Sequence, residues 1–274
     1  KEIKKWGKAM VEKIRSSLLS SYDSCIDKIS KELNEVEKFK SRIKENIVQY
    51  NPADYASRSG SSISIFFDHT YLKPDCTYEI VDKLSSECIE YNCKTICIPP
   101  TFVGYAKTRI RDLQVATVIG FPLGYTFDKT KQQETSLALS FGADEIDMVQ
   151  NVSMLKNEQY TYVYQEIAAI KGVCKDKILK VILETSFLTL EEKIISCIIA
   201  YCAGADFVKT STGFSDKGAT LEDIILMKMI FRDRSVKASG GIKTLDFVKE
   251  LISHGVDRIG CSSSIGIIKE YESK

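Results

Sequence analysis

The sequence predicts an α/β protein built as a (β/α)8 barrel, the TIM-barrel fold, with a helical extension at its N-terminus. Three observations predict this fold. Eight short apolar segments follow one another from residue 63 onward, each is followed by an amphipathic stretch, and glycine–alanine–aspartate junctions precede two of them. Strict alternation of buried strands and helices is typical of a parallel sheet, and eight such units complete a barrel.

Residues 1–60 are predicted to form a helical extension and a linker, and residues 61–274 the barrel. Two series of apolar positions, spaced three or four residues apart, predict two amphipathic helices with a break near residues 20–23. The series are Ile3, Trp6, Met10, Ile14 and Leu18, then Ile26, Ile29, Leu33, Val36, Phe39, Ile43 and Ile47. We expect these helices to pack on the outside or the N-terminal face of the barrel, a partner-binding arm being the alternative.

The eight predicted strands cover residues 64–67, 95–98, 116–119, 145–149, 178–183, 207–208, 236–238 and 258–260. Helices are predicted after each strand, for example over residues 190–201 and 220–230. Gly142 and Gly204 are expected to end helices just before the chain re-enters the barrel. A doubly wound sheet is the alternative fold, but it normally has fewer strands and a glycine-rich first turn, which this sequence lacks.

Composition limits the functional classes. The 274 residues carry 38 basic and 37 acidic side chains, a net charge of +1, and 44% of them are hydrophobic. This composition is typical of a folded globular protein. The near-neutral charge gives no electrostatic basis for binding nucleic acid, and no apolar run reaches the roughly 18 residues that span a membrane. We expect an enzyme or a binding protein without nucleic-acid or membrane partners.

The nine cysteines are irregularly spaced, without a Cys-x-x-Cys pair, and the two histidines, His69 and His254, lie far apart. A zinc site needs several nitrogen or sulfur ligands at ligand-like spacing. No signal peptide is visible, so reduced, mostly buried thiols in the cytoplasm are expected. We expect no metal and no other cofactor.

Reactive side chains of such barrels lie where strands end and loops begin. Lys209 and Lys237 end neighbouring predicted strands, so their ammonium groups are expected to lie close together. A lysine is nucleophilic only after it loses its proton, and burial or a second cation lowers its pKa. Asp147 shares a strand face with Glu145 and is suited to balance a lysine or to shuttle a proton. The pattern favours a Schiff-base lysine, with ordinary salt-bridge lysines as the alternative.

Glycine turns follow the last two predicted strands. Gly240 and Gly241 follow the seventh strand, and Gly260, Ser262 and Ser263 end or follow the eighth. Backbone amides at such turns and at helix N-termini bind phosphate in many barrels. The turns therefore favour a phosphate site, although tight turns and a serine helix cap account for the same residues without a ligand.

Seven stretches of the chain resemble deoxyribose-phosphate aldolase, a family of class I, Schiff-base aldolases. They cover residues 67–74, 118–124, 142–149, 181–185, 203–214, 236–243 and 258–263. The resemblance extends from about residue 63 to residue 268, in order and with compatible spacing. It implies a metal-independent barrel enzyme that interconverts 2-deoxyribose 5-phosphate with glyceraldehyde 3-phosphate and acetaldehyde in deoxyribonucleotide catabolism.

The resemblance also implies residue roles. Lys209 matches the Schiff-base lysine, Lys237 the second lysine that lowers its pKa, and Asp147 the aspartate of the proton relay. The phosphate-binding positions are matched by Gly213, Gly240, Gly241, Lys243, Gly260, Ser262 and Ser263. Residues around the pocket, without an implied catalytic role, are matched by Asp68, Thr70 and Cys97.

Three features depart from the family. Phe214 stands where some members have lysine, so Lys243 is expected to carry most of the charge toward phosphate. Tyr271 is expected to be too close to the barrel to act as the tail tyrosine of some members, and residues 1–50 have no counterpart in the shortest members.

Two alternative functions remain: a related aldolase for another phosphorylated aldehyde, and a catalytically silent barrel that binds partners through residues 1–50. The oligomeric state stays open, a homodimer included.

Overall fold

The structure, a computed structural model, describes residues 2–60 and 62–274; the side chains of residues 2–6 and 59, among them Ile3 and Trp6 of the first apolar series, lie outside the described part. Eight parallel strands form a closed barrel in chain order, the last pairing with the first. They are β1 (Phe67–Thr70), β2 (Thr95–Ile98), β3 (Val115–Ile119), β4 (Glu145–Val149), β5 (Ile178–Ile182), β6 (Phe207–Lys209), β7 (Ser235–Ser239) and β8 (Arg258–Cys261). The predicted (β/α)8 barrel is confirmed.

Helices follow every strand, and two more precede the barrel. They are α1 (Glu2–Ser30), α2 (Lys40–Gln49), α3 (Tyr78–Glu90), α4 (Val103–Arg109), α5 (Asp128–Ser140), α6 (Val152–Lys156), α7 (Tyr160–Cys174), α8 (Leu190–Cys202), α9 (Leu221–Ile230), α10 (Leu245–Ser253) and α11 (Ser264–Glu272). Short 3-10 helices cover Asn34–Lys38, Pro52–Gly60, Ser64–Phe66, Pro100–Phe102 and Thr185–Phe187. None of the described helices is both long and apolar enough to cross a bilayer.

The first strand lies three residues later than the sequence predicts. Ser64–Phe66 forms a 3-10 helix, and β1 begins at Phe67, which pairs with Ile259 of β8. Partners on both neighbouring strands, β2 and β8, determine where β1 begins. As a result, Asp68 and Thr70 belong to the strand instead of following it.

The predicted junctions join helices to strands as expected. Gly142 and Gly204 follow the ends of α5 and α8 with φ of +102° and +86°, a left-handed conformation that glycine adopts at little cost. The aspartates that follow them bind neighbouring strands: Asp144 accepts a backbone N–H from β3 (3.0 Å) and Asp206 one from β5 (2.8 Å).

Layers of side chains fill the barrel, each contributed by alternate strands. From the N-terminal ends of the strands upward, they are Thr95, Glu145, Phe207 and Arg258; then Asp68, Ala116, Lys180 and Lys237; then Cys97, Asp147, Lys209 and Gly260. Most of these side chains are charged, although none of the charged ones is more than 4% exposed. The main apolar core lies between the barrel and its helices.

The break predicted near residues 20–23, between two N-terminal helices, is wrong. α1 is continuous from residue 2 to residue 30, and the chain reverses only at Asn34–Lys38. Tyr22, inside the predicted break, is 1% exposed, and its hydroxyl donates to the carbonyl oxygen of Lys40 (2.6 Å). The buried stripe of α1 therefore runs through this region, and the serines beside Tyr22 do not interrupt it.

α8 and α9 are covered on both sides. All residues of α8 from Ile194 to Cys202 are buried, and in α9 only Glu222 is not. Because consecutive residues of a helix point in all directions, such a helix needs cover all round. The strands supply it on one side, while α1 packs against α8 and α9, and α2 against α9, on the other.

Candidate active site

Two lysines meet at the C-terminal end of the barrel. Lys209 is the last residue of β6 and Lys237 the middle residue of β7, and the strand register pairs them directly. Both are therefore part of their strands, and β6 extends one residue beyond its predicted range of 207–208 to include Lys209. Both side chains are buried inside the barrel, with residue exposures of 2% and 0%.

One carboxylate joins the lysines. Asp147 Oδ2 accepts hydrogen bonds from Lys209 Nζ (2.9 Å) and Lys237 Nζ (2.7 Å). Its other oxygen, Oδ1, accepts from Lys180 Nζ (2.7 Å). The predicted shared face of Asp147 and Glu145 is the barrel interior, since both contact Lys180 there.

The two predicted lysines differ in their electrostatics. Burial lowers the pKa of Lys209; the attraction of Asp147 opposes this effect and the positive charge of Lys237 adds to it. Burial acts in the same direction on Lys237, but Asp147 and Asp68 outweigh it and raise the pKa of Lys237. Lys209 is therefore the amine that gives up its proton first.

Two further cations, which were not among the predicted site residues, lie below Lys209: Lys180 in the layer of Lys237, and Arg258 in the lowest layer. Lys180 Nζ lies 2.6 Å from Glu145 Oε2. Arg258 binds both oxygens of Glu145 (3.0 and 2.9 Å) and donates from Nε to Asp68 (2.6 Å). The sequence does contain a sign that Lys180 is buried in the barrel: it is the one charged residue in the apolar strand β5 and stands at an inward-facing position.

A cavity of about 320 Å³ opens at Lys209, between the loops that follow β1, β6, β7 and β8. The predicted site residues that line it are Thr70, Lys209, Gly213, Gly240, Gly241, Lys243, Gly260, Ser262 and Ser263. The predicted residues that do not line it are Asp68, Cys97, Asp147 and Lys237, each completely buried. A larger groove of about 1510 Å³ lies outside the barrel, among α1, α2 and α10, and is lined by none of the predicted site residues.

The wall of the cavity is suited to an anion. Gly240 has a φ of +85°, and a Cβ atom there would lie 3.0 Å from the Cα of Gly218, so this turn requires glycine. Ser263 is the N-cap residue of α11, yet its side chain makes no cap hydrogen bond, so capping does not account for it. The exposed side chains of Lys243 and Lys73 line the same cavity. Backbone amides, a helix N-terminus and ammonium groups together favour phosphate.

Glu184 holds the loop that carries Gly213. The Glu184 backbone is left-handed (φ +55°) and its side chain is buried. The carboxylate accepts from the backbone N–H of Thr212 (3.2 Å), from the hydroxyl of Thr212 and from the hydroxyl of Ser215 (3.0 Å). The loop after β6 is thus tied to the end of β5.

Two residues that depart from the family pattern lie in different places. Phe214 is half-exposed at the rim of the cavity and packs edge-to-face on Phe121, with ring centroids 5.2 Å apart. Tyr271 lies in α11 outside the cavity lining, and Lys249 Nζ lies 5.3 Å from the centre of its ring.

The thiols are mostly buried, as expected. All nine cysteines are free and only Cys76 is partly exposed. Within residues 2–60 and 62–274, no group of three or more histidine, cysteine, aspartate or glutamate side chains is arranged to hold a metal ion.

Comparison with known proteins identifies similar chains. The family model described as DeoC/LacD family aldolase matches residues 62–261, which include Lys209, Lys237 and Asp147. The deoxyribose-phosphate aldolase of Metamycoplasma arthritidis is 47% identical over 210 residues, covering 76% of this chain and 97% of that protein. The deoxyribose-phosphate aldolase of Thermotoga maritima is 46% identical over 210 residues, covering 76% and 85%.

Solved structures agree with the sequence comparison. The deoxyribose phosphate aldolase from Aeropyrum pernix, described as tetrameric, superposes with a TM-score of 0.75 and 28% identity. The superposition covers 82% of this chain and 98% of that chain.

Proposed function

This chain belongs to the DeoC/LacD aldolase family, and from that premise we propose that it reversibly cleaves 2-deoxy-D-ribose 5-phosphate to D-glyceraldehyde 3-phosphate and acetaldehyde. The observation that carries the proposal is the placement of Lys209. Its buried amine, with a lowered pKa, meets a cavity whose wall is suited to phosphate. A Schiff-base aldolase needs both a neutral amine and a place for the charged end of its substrate.

Lys209 is the nucleophile in this proposal. Its amine adds to the C1 aldehyde of the open-chain sugar, and loss of water leaves an iminium. The iminium accepts the electron pair of the C2–C3 bond as that bond breaks and becomes an enamine. The C3 hydroxyl loses its proton in the same step, and C3 departs as the aldehyde carbon of glyceraldehyde 3-phosphate. Protonation of the enamine at C2, followed by hydrolysis, releases acetaldehyde and restores the amine.

Asp147 and Lys237 move the proton. Burial alone would raise the pKa of Asp147, but Lys180, Lys209 and Lys237 together hold it well below its ordinary range. A carboxylate in this state does not retain a proton. Asp147 passes on any proton it receives, so it relays the proton between the C3 hydroxyl and the enamine carbon through an ordered water, with Lys237 as its hydrogen-bond partner (2.7 Å).

The phosphate group binds away from the reacting carbons. The turns at Gly240 and Gly241 and the start of α11 provide backbone amides, and Lys243 provides charge. Binding energy from this distant group orients C1 toward Lys209.

The proposal is tested by incubating the protein with 2-deoxyribose 5-phosphate and identifying the products. We expect glyceraldehyde 3-phosphate and acetaldehyde in equal amounts. A related aldolase for another phosphorylated aldehyde would leave this sugar intact while forming a borohydride-stable adduct with its own substrate. A silent barrel that binds partners would form no adduct with any aldehyde.

Lys243→Ala is expected to raise KM for 2-deoxyribose 5-phosphate by about tenfold, the effect of roughly 1.4 kcal/mol of lost binding energy. Cleavage of unphosphorylated 2-deoxyribose should change little, because Lys243 interacts with the phosphate alone. Steady-state kinetics on both sugars measure the difference. Lys129→Ala, which removes an exposed lysine outside the cavity lining, is the matched control. Equal losses on both sugars would place Lys243 outside the phosphate site.

Removing residues 1–50 is expected to lower stability more than catalysis. Every residue assigned a role lies at or beyond Asp68, whereas α1 and α2 cover the outer faces of α8 and α9. Loss of this cover exposes apolar surface, at roughly 25 cal/mol per Å². Thermal unfolding and kcat of the truncated protein test the expectation. A folded truncated protein with a kcat reduced more than about tenfold would assign the extension a role in the site.

Adjacent residues of α2 provide a milder version of this test. Ile47 is 0% exposed and Val48 is 59% exposed. Ile47→Ala is expected to lower the free energy of unfolding by about 2–5 kcal/mol, and Val48→Ala by less than about 0.5 kcal/mol. Equal effects would mean that α2 does not form part of the core.

Cytoplasmic location and self-association complete the proposal. Eight buried, unbridged thiols are suited to a reducing compartment. The tetrameric Aeropyrum pernix relative supports self-association, while the sequence leaves the number of subunits open, a homodimer included. Subcellular fractionation and light scattering test the two statements.

A further inference from the structure

The barrel interior holds unequal numbers of opposite charges. Its described carboxylates are Asp68, Glu145 and Asp147, and its described cationic side chains are Lys180, Lys209, Lys237 and Arg258. None is more than 4% exposed, so water screens them poorly, and an unbalanced buried charge is strongly unfavourable. With every group ionised, one positive charge remains; with one amine neutral, three cations face three carboxylates.

The contacts of the four cations indicate which amine becomes neutral. Three of them contact at least two carboxylates each. Lys180 lies 2.7 Å from Asp147 and 2.6 Å from Glu145, Lys237 lies 2.7 Å from Asp147 and 2.5 Å from Asp68, and Arg258 lies 2.9 Å from Glu145 and 2.6 Å from Asp68. Within the described structure Lys209 has one carboxylate partner, Asp147, at 2.9 Å. It therefore loses the least attraction when its charge is removed.

We propose that Lys209 is neutral at rest because its deprotonation balances the charges of the buried interior, and that Lys180, Glu145, Asp68 and Arg258 thereby control its reactivity. These four residues do not line the cavity, so they are positioning residues that act through Asp147 and Lys237. The inference rests on the proposed function, because it takes Lys209 to be the nucleophile.

Two further groups lie near the charged layers, and neither forms an ion pair with Lys209 in the described structure. Cys97 of β2 faces the same space, but burial raises the pKa of its thiol, which stays neutral. Glu184, above the layers, is bound by Thr212 and Ser215. The electrostatics agree with the contacts: burial lowers the pKa of Lys209, whereas carboxylates overcome burial and raise the pKa of Lys180.

The test is the pH dependence of kcat/KM for 2-deoxyribose 5-phosphate and of borohydride trapping with acetaldehyde. The acidic limb of both profiles reports protonation of Lys209. Lys180→Met removes a cation, so Lys209 keeps its proton to higher pH, and the limb moves up by about one pH unit or more. Glu145→Gln removes an anion and moves the limb down. The double variant K180M/E145Q removes one charge of each sign and returns the limb to its wild-type position.

Matched controls separate charge from shape. Lys180→Arg keeps the charge and is expected to leave the limb in place. Thr95, whose hydroxyl accepts from Arg258 (3.1 Å), allows a variant that breaks no ion pair. Thr95→Asp adds a carboxylate and moves the limb up, whereas the neutral Thr95→Asn does not. Circular dichroism establishes that each variant is folded.

Opposite shifts in Lys180→Met and Glu145→Gln support the inference. A loss of kcat with an unmoved limb in both overturns it, since a purely structural role predicts that result. If removing one partner of a buried pair unfolds the chain, the two Thr95 variants decide the question. Acidic limbs at different pH in Thr95→Asp and Thr95→Asn support the charge balance, and acidic limbs at the same pH overturn it. If an adduct forms at Lys209 but the acidic limb does not move in the variants, this inference alone is overturned. If the wild-type protein forms no adduct, the proposed function is overturned.

Discussion

Lys209→Ala is expected to abolish covalent trapping and to lower kcat/KM for 2-deoxyribose 5-phosphate by at least ~10⁴-fold. Without the amine no iminium forms, and the electrons of the C2–C3 bond have no acceptor. Lys237 does not replace it, because Asp147 and Asp68 hold Lys237 as an ammonium ion. Borohydride reduction with acetaldehyde, followed by mass spectrometry, measures trapping as the addition of one ethyl group to a lysine.

The Lys209→Ala variant is expected to fold, because under the proposed charge balance Lys209 is neutral at rest and contributes no charge to the interior. Lys73→Ala is the control, because Lys73 lines the same cavity but is exposed. It should keep the adduct at Lys209. An adduct that maps to Lys237 or Lys73 and leaves Lys209 unmodified would show that the nucleophile has been assigned wrongly.

Asp147→Asn is expected to lower kcat by about 10²–10⁴-fold, the range typical of a lost proton-transfer group. Trapping with acetaldehyde should persist, because removing the carboxylate removes an attraction that favours the charged form of Lys209. Lys180 and Lys237 each lose a buried partner, so the free energy of unfolding should also fall, by about 3–5 kcal/mol. Steady-state kinetics, reductive trapping and denaturant titration measure the three effects.

Asp144→Asn is the control that separates a loss of stability from a loss of kcat. Asp144 precedes β4 at the opposite end of the barrel, where it pairs with Lys107 and accepts a backbone N–H from β3. Its replacement should lower stability and leave kcat unchanged. If Asp147→Asn keeps kcat within about tenfold of wild type, a relay through this carboxylate is excluded.

The convergence of side chains at the strand ends could be predicted from the sequence because a barrel brings distant strand ends together. Lys209 and Lys237 are far apart from Asp147 in sequence, yet the order of the strands alone predicts that they converge. Glycine turns are equally visible, since positive φ angles such as that of Gly240 leave a residue-type signature.

Features that depend on long-range packing could not be predicted in the same way. Lys180 is visible as a lysine in an apolar strand, but its carboxylate partners lie on β1 and β4, and only the barrel register brings them together. The start of β1 depends on its pairing with β2 and β8. Around Tyr22, serines on the exposed side of α1 resemble a helix break in the sequence, whereas tertiary contacts keep the helix continuous.

The cover that α1 provides for α8 and α9 has a consequence during synthesis. α1 leaves the ribosome before α8, which begins about 160 residues after α1 ends. At a translation rate of about 5–20 residues per second, the apolar stripe of α1 waits roughly 10–30 s for its partners. Throughout that interval the nascent chain presents a hydrophobic helix to its surroundings, which makes it a natural client for a chaperone that binds at the ribosome.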